Sequence, residues 1–183
     1  MCLQKCNIFS GPTRVLNGND METGKAHILS LLEQVTDPEL PVLSVIDLGI
    51  VRDVISGDDE VEIIITPTYS GCPAMDVISM QIRMLLLEHG FKKIKITTVL
   101  SPAWTTEWMS ESGKEKLKAY GIAPPNPLQT VCDVKLFAEE EAIQCPHCHS
   151  YNTSMVSRFG STACKALYKC NHCLEPFDYF KCH

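Results

Sequence analysis

Cys145-Pro-His-Cys148 and Cys170-Asn-His-Cys173 are two C-x-x-C knuckles separated by 21 residues. Each knuckle lets two thiolates reach one ion while its backbone amides donate to the sulfurs, and two knuckles brought together by a hairpin close a tetrahedral four-sulfur shell. The spacing predicts a metal site with Cys145, Cys148, Cys170 and Cys173 as ligands. Zinc is the default ion for a closed four-thiolate shell, with iron as the alternative. A unit of about forty residues has too little core to fold unaided, so the metal supplies its folding energy. Cys164, Cys182, His147, His149, His172 and His183 are spare donors that could enter the shell, although paired knuckles are the more economical choice. A redox dithiol is the weaker reading, because such a motif usually stands alone in a thioredoxin-like pattern. The polar stretch Phe159-Gly-Ser-Thr-Ala-Cys164-Lys165 is unexpected in a mere connector, and the sequence alone offers no account of it.

Cys72 is the other candidate. It follows Pro67-Thr-Tyr-Ser-Gly71 and precedes Pro73, a residue suited to the first position of a helix, where its missing N–H has no partner to lose. A cysteine at such a helix start faces free amides and the positive end of the helix dipole. Both favour thiolate, which makes Cys72 a nucleophile or a soft-metal ligand. The competing reading is a small buried hydrophobe. Cys2 and Cys6, at C-x-x-x-C spacing, make only a weak metal motif.

The elements that must position these residues follow from periodicity. Residues 1–22 show no period and read as a mobile extension. From Thr23, a capping residue, Ile28, Leu31, Leu32 and Val35 form one apolar stripe of a helix that Pro38 ends. Asp37-Pro-Glu39 is then either a stiff acidic loop able to orient a metal or partner, or a solvated turn with Asp37 as turn former. Asp47 and Gly49 punctuate a second turn. Residues 50–56 and 60–66 read as a hairpin about Gly57-Asp58-Asp59, with Val61, Ile63 and Ile65 on one face.

The helix after Cys72 carries Ala74, Val77, Ile78, Ile82, Leu85 and Leu86 on its buried side, Met75, Met80 and Met84 as core filler or edge contacts, and Gly90 just past its end. Residues 91–99 make a third strand, parallel to the second because a crossover helix joins them. A last helix is expected from Trp104 and Trp108 to Tyr120. Thr66, Thr68, Cys72 and the segment around Trp104 then gather at the strand ends, where open α/β sheets place their sites.

The predicted fold class is α+β, a small two-layer helix and sheet domain over 23–121 in the order α-β-β-α-β-α. A Pro-rich linker with one connecting strand follows over 122–142, with the strand placed at 131–137 and Glu139-Glu-Glu141 as solvated charge. The zinc ribbon occupies 143–183.

Composition bounds the function. The 183 residues are 45% hydrophobic, enough for a proper core, and ten cysteines in a chain without a secretory apolar core at its start are expected in a reducing cytoplasm as metal ligands or reactive thiols. A net charge of −6 argues against a non-specific polyanion binder. Nucleophilic catalysis needs a base near the thiol, yet His89 lies at the far end of the same helix and His27 on another. Phosphate-binding loops, dinucleotide fingerprints and serine elbows are absent as well. The expectation is a non-catalytic protein.

The order helix, Asp37-Pro38-Glu39, Asp47-Leu48-Gly49, strand pair, Thr66-Pro-Thr-x-x-Gly71-Cys72-Pro73, helix, strand, Trp104 resembles the SufT-like iron–sulfur assembly domain over about residues 24 to 121. The knuckles with Phe159-Gly-Ser-Thr-Ala-Cys164 and the terminal Phe180-Lys-Cys182-His183 resemble the ribbon of the PaaD family, accessory proteins of the phenylacetyl-CoA ring 1,2-epoxidase in aerobic phenylacetate degradation. The resemblance implies maturation of the epoxidase iron centres, either the diiron site of the oxygenase or the iron–sulfur cluster of the reductase. It makes Cys72 the functional thiol, Asp37 and Glu39 signature acids, and a transient iron or iron–sulfur cluster the cargo. Its implied partners are the epoxidase subunits and the iron–sulfur assembly machinery. One thiol per chain cannot ligate a cluster alone, so partner cysteines or a homodimer mate would be needed. The alternative is a zinc-ribbon adaptor that binds protein or nucleic acid without metal transfer. Its weakly basic tail offers few phosphate contacts.

Overall fold

The computed structural model describes residues 18–57, 60–125 and 143–181. Helix α1 (Gly18–Leu32) leads into strands β1 (Val51–Ser56) and β2 (Glu60–Ile65), helix α2 (Ala74–Glu88) and strand β3 (Lys93–Thr98). A single 3₁₀ turn, Thr106–Trp108, precedes helix α3 (Glu111–Ala119) and the two-residue strand β4 (Ile122–Ala123). Strands β5 (Thr153–Ser157), β6 (Lys165–Cys170) and β7 (Pro176–Phe180) complete the chain.

The first sheet has the order β1-β2-β3, with β1 antiparallel and β3 parallel to β2. This is the α+β arrangement that the pattern predicted, crossover included. Val61, Ile63 and Ile65 of β2 face one way and are 3%, 0% and 0% exposed. On that face they meet Ile28, Leu31 and Leu32 of α1 and the α2 stripe in one apolar core. Gly90 closes α2 at φ +89°, in the left-handed region that glycine enters without a Cβ penalty.

Several expectations are corrected. Helix α1 begins at Gly18, so residues 18–22 belong to a helix and Thr23 lies inside it. It ends at Leu32, well before Pro38, because the chain turns to pair Thr36 with Ser44 in a short bridge that still buries Val35. On α2 the buried residues are Ala74, Ile78, Ile82 and Leu86, four apart, while Val77, Met80, Met84 and Leu87 are exposed. A three-stranded sheet with one neighbouring helix covers only a narrow stripe of α2. Trp104 is in no helix. It lies buried in an irregular segment, its indole N–H donating to the Leu48 carbonyl oxygen at 2.9 Å.

The second sheet has the order β4-β7-β6-β5. Ile122–Ala123, expected in an extended linker, pairs in parallel with β7. The ribbon is therefore stitched to the helical layer: Phe180 and Cys164 are buried in the core of the first sheet, and the Phe180 ring meets Trp104 edge-on at 6.1 Å. The strand expected at 131–137, Glu139-Glu-Glu141, Cys2, Cys6, Cys182 and His183 lie outside the described residues. Among the described residues, no helix is long and apolar enough to cross a membrane.

Candidate metal centre and thiol site

The four knuckle cysteines converge. Cys145, Cys148, Cys170 and Cys173 present sulfurs that all lie within 4.8 Å of one another. The cross-knuckle pairs Cys145–Cys173 and Cys148–Cys170 stand 3.8 and 3.5 Å apart. Four sulfurs about 2.3 Å from a central zinc stand about 3.8 Å from each other, so the shell has the dimensions of a tetrahedral zinc site.

The local backbone explains the convergence. Both knuckles have the same fold: the Cys145 amide donates to the Ser150 carbonyl and the Cys170 amide to the Glu175 carbonyl, five residues on in each case. The residue after each second cysteine, His149 at φ +60° and Leu174 at φ +68°, takes the left-handed turn that brings the chain around. The amides of Cys173 and His172 donate to the Cys170 sulfur and, with neighbouring thiols, hold Cys170 well down, to about 6. Among the described residues, His147, His149 and His172 take no part in the four-sulfur group.

Cys164, treated above as a spare zinc donor, is elsewhere. Its thiol donates to Glu39 Oε2 at 3.6 Å and stands 3.0 Å from Thr162 Oγ1, at the junction of the two sheets. This accounts for the polar stretch before it. The Gly160 amide donates to the Lys165 carbonyl, and Ser161 Oγ and Lys165 Nζ both engage Asp178. A Cβ on Gly160 would stand 2.7 Å from Asp178 Oδ1, so a side chain there would displace the Asp178 carboxylate. Its product is a buried Cys164 and Lys165 set against the acidic loop.

That loop is not a solvated turn. Asp37 is 8% exposed, and its Oδ1 accepts the amides of Glu39 at 2.7 Å and Leu40 at 2.9 Å, so it is both turn former and buried acid. Burial pushes its carboxyl above the usual range, with Glu39 adding to the effect, against the two amides and Lys165, which pull it down. Cys72 comes to the same place, one residue ahead of the Pro73 that caps α2.

The thiolate expectation fails here. The Cys72 sulfur does accept a hydrogen bond from the Ala74 amide, but half-burial raises its pKa, and the charges of Asp37 and Glu39 add to the rise; the Ala74 amide and Thr68 only offset it. A thiol facing two carboxylates stays protonated, and what would ionise it is a cation. Burial pushes the Tyr69 hydroxyl above its usual value, and the charges of Cys72, Glu39, Cys164 and Asp37 add to the rise.

Beside this cluster, Thr66, Thr68 and Trp104 line one cavity of about 280 Å³ with Tyr69, Ser70 and Leu100. Thr66, Thr68 and Trp104 line it together, whereas Cys72, expected beside them, is not among its lining residues and reaches it through its hydrogen bond with Thr68. Below it, Asp47 is held by Ser44, Ser110 and Lys116. Gly49 at φ +66° passes so close to Trp108 that any Cβ would overlap that residue's carbonyl. Asp47 and Gly49 thus have structural contacts, tying their turn to Ser110, Lys116 and Trp108. Sequence reasoning missed Cys164, Lys165 and Tyr69; the unexplained polar turn was the signal for the first two.

Comparison with known proteins fits this division. Residues 25–96 match the iron-sulfur cluster assembly protein model, and residues 129–181 match the PaaD zinc beta ribbon domain. A relative in Escherichia coli (strain K12), named as a component of a "Putative 1,2-phenylacetyl-CoA epoxidase", is 48% identical over 155 residues, 85% of this chain and 91% of that one. An "Fe-S protein maturation auxiliary factor" from Porphyromonas gingivalis (strain ATCC BAA-308 / W83) is 35% identical over 104 residues, 56% of this chain and 97% of its own. The crystal structure of a DUF59 domain from Bacillus anthracis superposes with a TM-score of 0.53 at 30% identity, covering 55% of this chain and 97% of that one. The chain therefore belongs to the PaaD family, matching the iron–sulfur cluster assembly model in its first part and the PaaD zinc β-ribbon model in its last.

Proposed function

We propose that this protein is a non-catalytic accessory factor that delivers iron, or an iron–sulfur unit, to the iron centres of a phenylacetyl-CoA epoxidase, with Cys72 as the transfer thiol and Asp37 and Glu39 as its acidic partners. The observation that carries the reading is a half-buried Cys72 that feels the charges of Asp37 and Glu39 and bonds Thr68 of the neighbouring cavity, in a chain that keeps a separate, closed four-cysteine shell. The two sites divide the work. A closed Cys₄ shell holds a structural zinc and supplies folding energy. A lone thiol with carboxylates binds a borderline-soft ion less tightly, which suits hand-over. The relatives' names support the assignment: one is called an epoxidase component and another a maturation factor. The cysteine-enzyme reading loses ground further, because a thiol held above its ordinary pKa by burial and two carboxylates is a poor nucleophile.

The test is co-expression of the epoxidase subunits with wild-type or Cys72→Ser protein, measuring iron per epoxidase complex and turnover. Lower iron and lower turnover with the variant are expected. Equal values for both would defeat the role assigned to the thiol.

A further inference from the structure

The thiol loop and the segment after β3 enclose a cavity of about 280 Å³. Thr66 and Trp104, 1% and 3% exposed, make its floor, and the exposed Ser70, Leu100 and Ala103 make its mouth. Pro67, Leu100, Ala103 and the Trp104 ring give it apolar walls, because the indole N–H of Trp104 is already given to the Leu48 carbonyl. No charged side chain lines it. The floor carries one unmet polar atom: Thr66 Oγ1 is buried and has no hydrogen-bond partner among the described residues. An unpaired buried hydroxyl is costly, so an occupant that brings it a polar atom gains what an apolar occupant forfeits.

Size and lining together narrow the occupant. An apolar cavity of about 150 Å³ holds benzene, and sites for whole small ligands begin at about 300 Å³. A cavity of about 280 Å³ therefore takes one ring with a substituent. An ion is excluded, because its charge would lose water with no counter-charge in the lining. A side chain that enters from a partner meets the floor with its tip. Leucine, methionine and phenylalanine end in carbon and leave the Thr66 hydroxyl unpaired, while serine and threonine carry too little carbon to fill the walls. Tyrosine supplies both, a ring for the walls and a hydroxyl at its far end. Leu100, 60% exposed at the mouth, adds an apolar collar that such a contact would cover.

We propose that this cavity is a socket for a tyrosine side chain of the protein that accepts the cargo, with the tyrosine hydroxyl bonded to Thr66. The identity of the partner rests on the reading of Cys72 as the transfer thiol; the chemistry of the socket does not. Cys72 lies two residues beyond Ser70 of the mouth, so a partner seated here is held against the loop that carries the thiol.

The experiment uses full-length, zinc-loaded protein. The probes are p-cresol, which is the tyrosine side chain, and toluene, which is the same ring without the hydroxyl, and binding is read from amide chemical shifts by NMR. Both are expected to move the amides of Thr68, Ser70 and Leu100. Thr66→Val keeps the shape of the floor, and should lower the affinity for p-cresol relative to toluene about tenfold while toluene binding persists. The comparison cancels the water that the phenol hydroxyl sheds, which is common to both proteins. Ala103→Leu, at an exposed position of the mouth, should exclude both probes. Co-expressed with the epoxidase subunits, it should lower iron per complex severalfold at unchanged zinc content and melting temperature. Cys72→Ser should leave p-cresol binding intact. Absence of p-cresol binding in wild type, binding that survives Ala103→Leu, or an affinity ratio unmoved by Thr66→Val would each overturn the socket. Iron per complex undiminished by an Ala103→Leu protein that no longer binds p-cresol would overturn the tyrosine partner and leave the Cys72 reading standing. Iron lowered by Ala103→Leu but not by Cys72→Ser would uphold the socket and defeat that reading.

Discussion

Phe180→Ala should uncouple the two halves of the molecule. Phe180 is 1% exposed and comes from the last ribbon strand, yet it is buried in the core of the first sheet, edge-on to Trp104 at 6.1 Å. Truncating a fully buried phenylalanine costs about 3–5 kcal/mol through lost burial and the cavity left behind. The edge-on aromatic pair accounts for about 0.5–1.5 kcal/mol of preference beyond area. The loss falls on the junction, because the ribbon's own cluster around Tyr168, Phe177 and Tyr179 does not include Phe180. The chain has two tryptophans, Trp104 and Trp108, both in the first unit, so intrinsic fluorescence reports that unit alone. Zinc released to a chromophoric chelator reports the ribbon. In urea, wild type is expected to show the two transitions together. In Phe180→Ala the fluorescence midpoint should fall, at a slope of about 1–3 kcal/mol per molar urea, by at least one molar, and the two transitions should separate. A fluorescence shift worth under about 1 kcal/mol would show that the ring is a surface contact and that the ribbon is merely tethered.

Other outcomes follow from the same geometry. Gly49→Ala should be among the most damaging single substitutions, since the new Cβ would meet the Trp108 carbonyl in a left-handed conformation; soluble yield and melting temperature check it. Cys145→Ser should release the ribbon zinc and leave the first unit's helical circular dichroism largely intact, read by metal analysis and far-UV spectra. Asp47 is pushed up by burial, yet Lys116, Ser44 and Ser110 outweigh this and hold it below its ordinary value. A depressed folded pKa gives stability that is present above the unfolded value, about 3.9, and is lost as pH falls through the folded one. Asp47→Asn should therefore flatten the acid limb of the stability curve below about pH 4. Cys72, raised by burial and two carboxylates, should react slowly with iodoacetamide at neutral pH and faster as pH climbs past the ordinary thiol range, and Asp37→Asn should speed it at fixed pH.

What could be read in the chain, and what could not, divides along local and non-local lines. The two knuckles were legible because a zinc site is specified by spacing within four residues plus a hairpin that brings two such pieces together. The strand pair and its parallel third member were legible because period-two burial and a crossover helix leave few topologies. The charge state of Cys72 was not. Its helix start was placed correctly, but burial of the thiol outweighs the helix amide, and the charges of Asp37 and Glu39, more than thirty residues upstream in the sequence, add to the rise. A dipole argument made from one helix has no access to a carboxylate brought up by another loop. The same holds for Trp104: its indole bond to Leu48 spans 56 positions, and the irregular segment it anchors has no period to read.

Cys164 marks the limit most clearly. By sequence it sits six residues before Cys170 and invites grouping with the knuckles. Along the β6 ladder, six residues carry the chain about 20 Å, from one end of the ribbon to the other. The knuckle end closes on four sulfurs, while the far end is pressed by Phe180 against the first sheet and delivers its thiol to Glu39. The register of β6 against β7, joined by the Cys170–Cys173 knuckle, sets where Cys164 stands relative to the acidic loop. Metal lost at the knuckles should be felt at Cys164 through this ladder. Chelation of the ribbon zinc in the full chain is accordingly expected to raise the alkylation rate of Cys164, measured by mass spectrometry of the labelled peptide. A rate unchanged by chelation would mean that the strand holds its register without the metal, and that the two sites are independent.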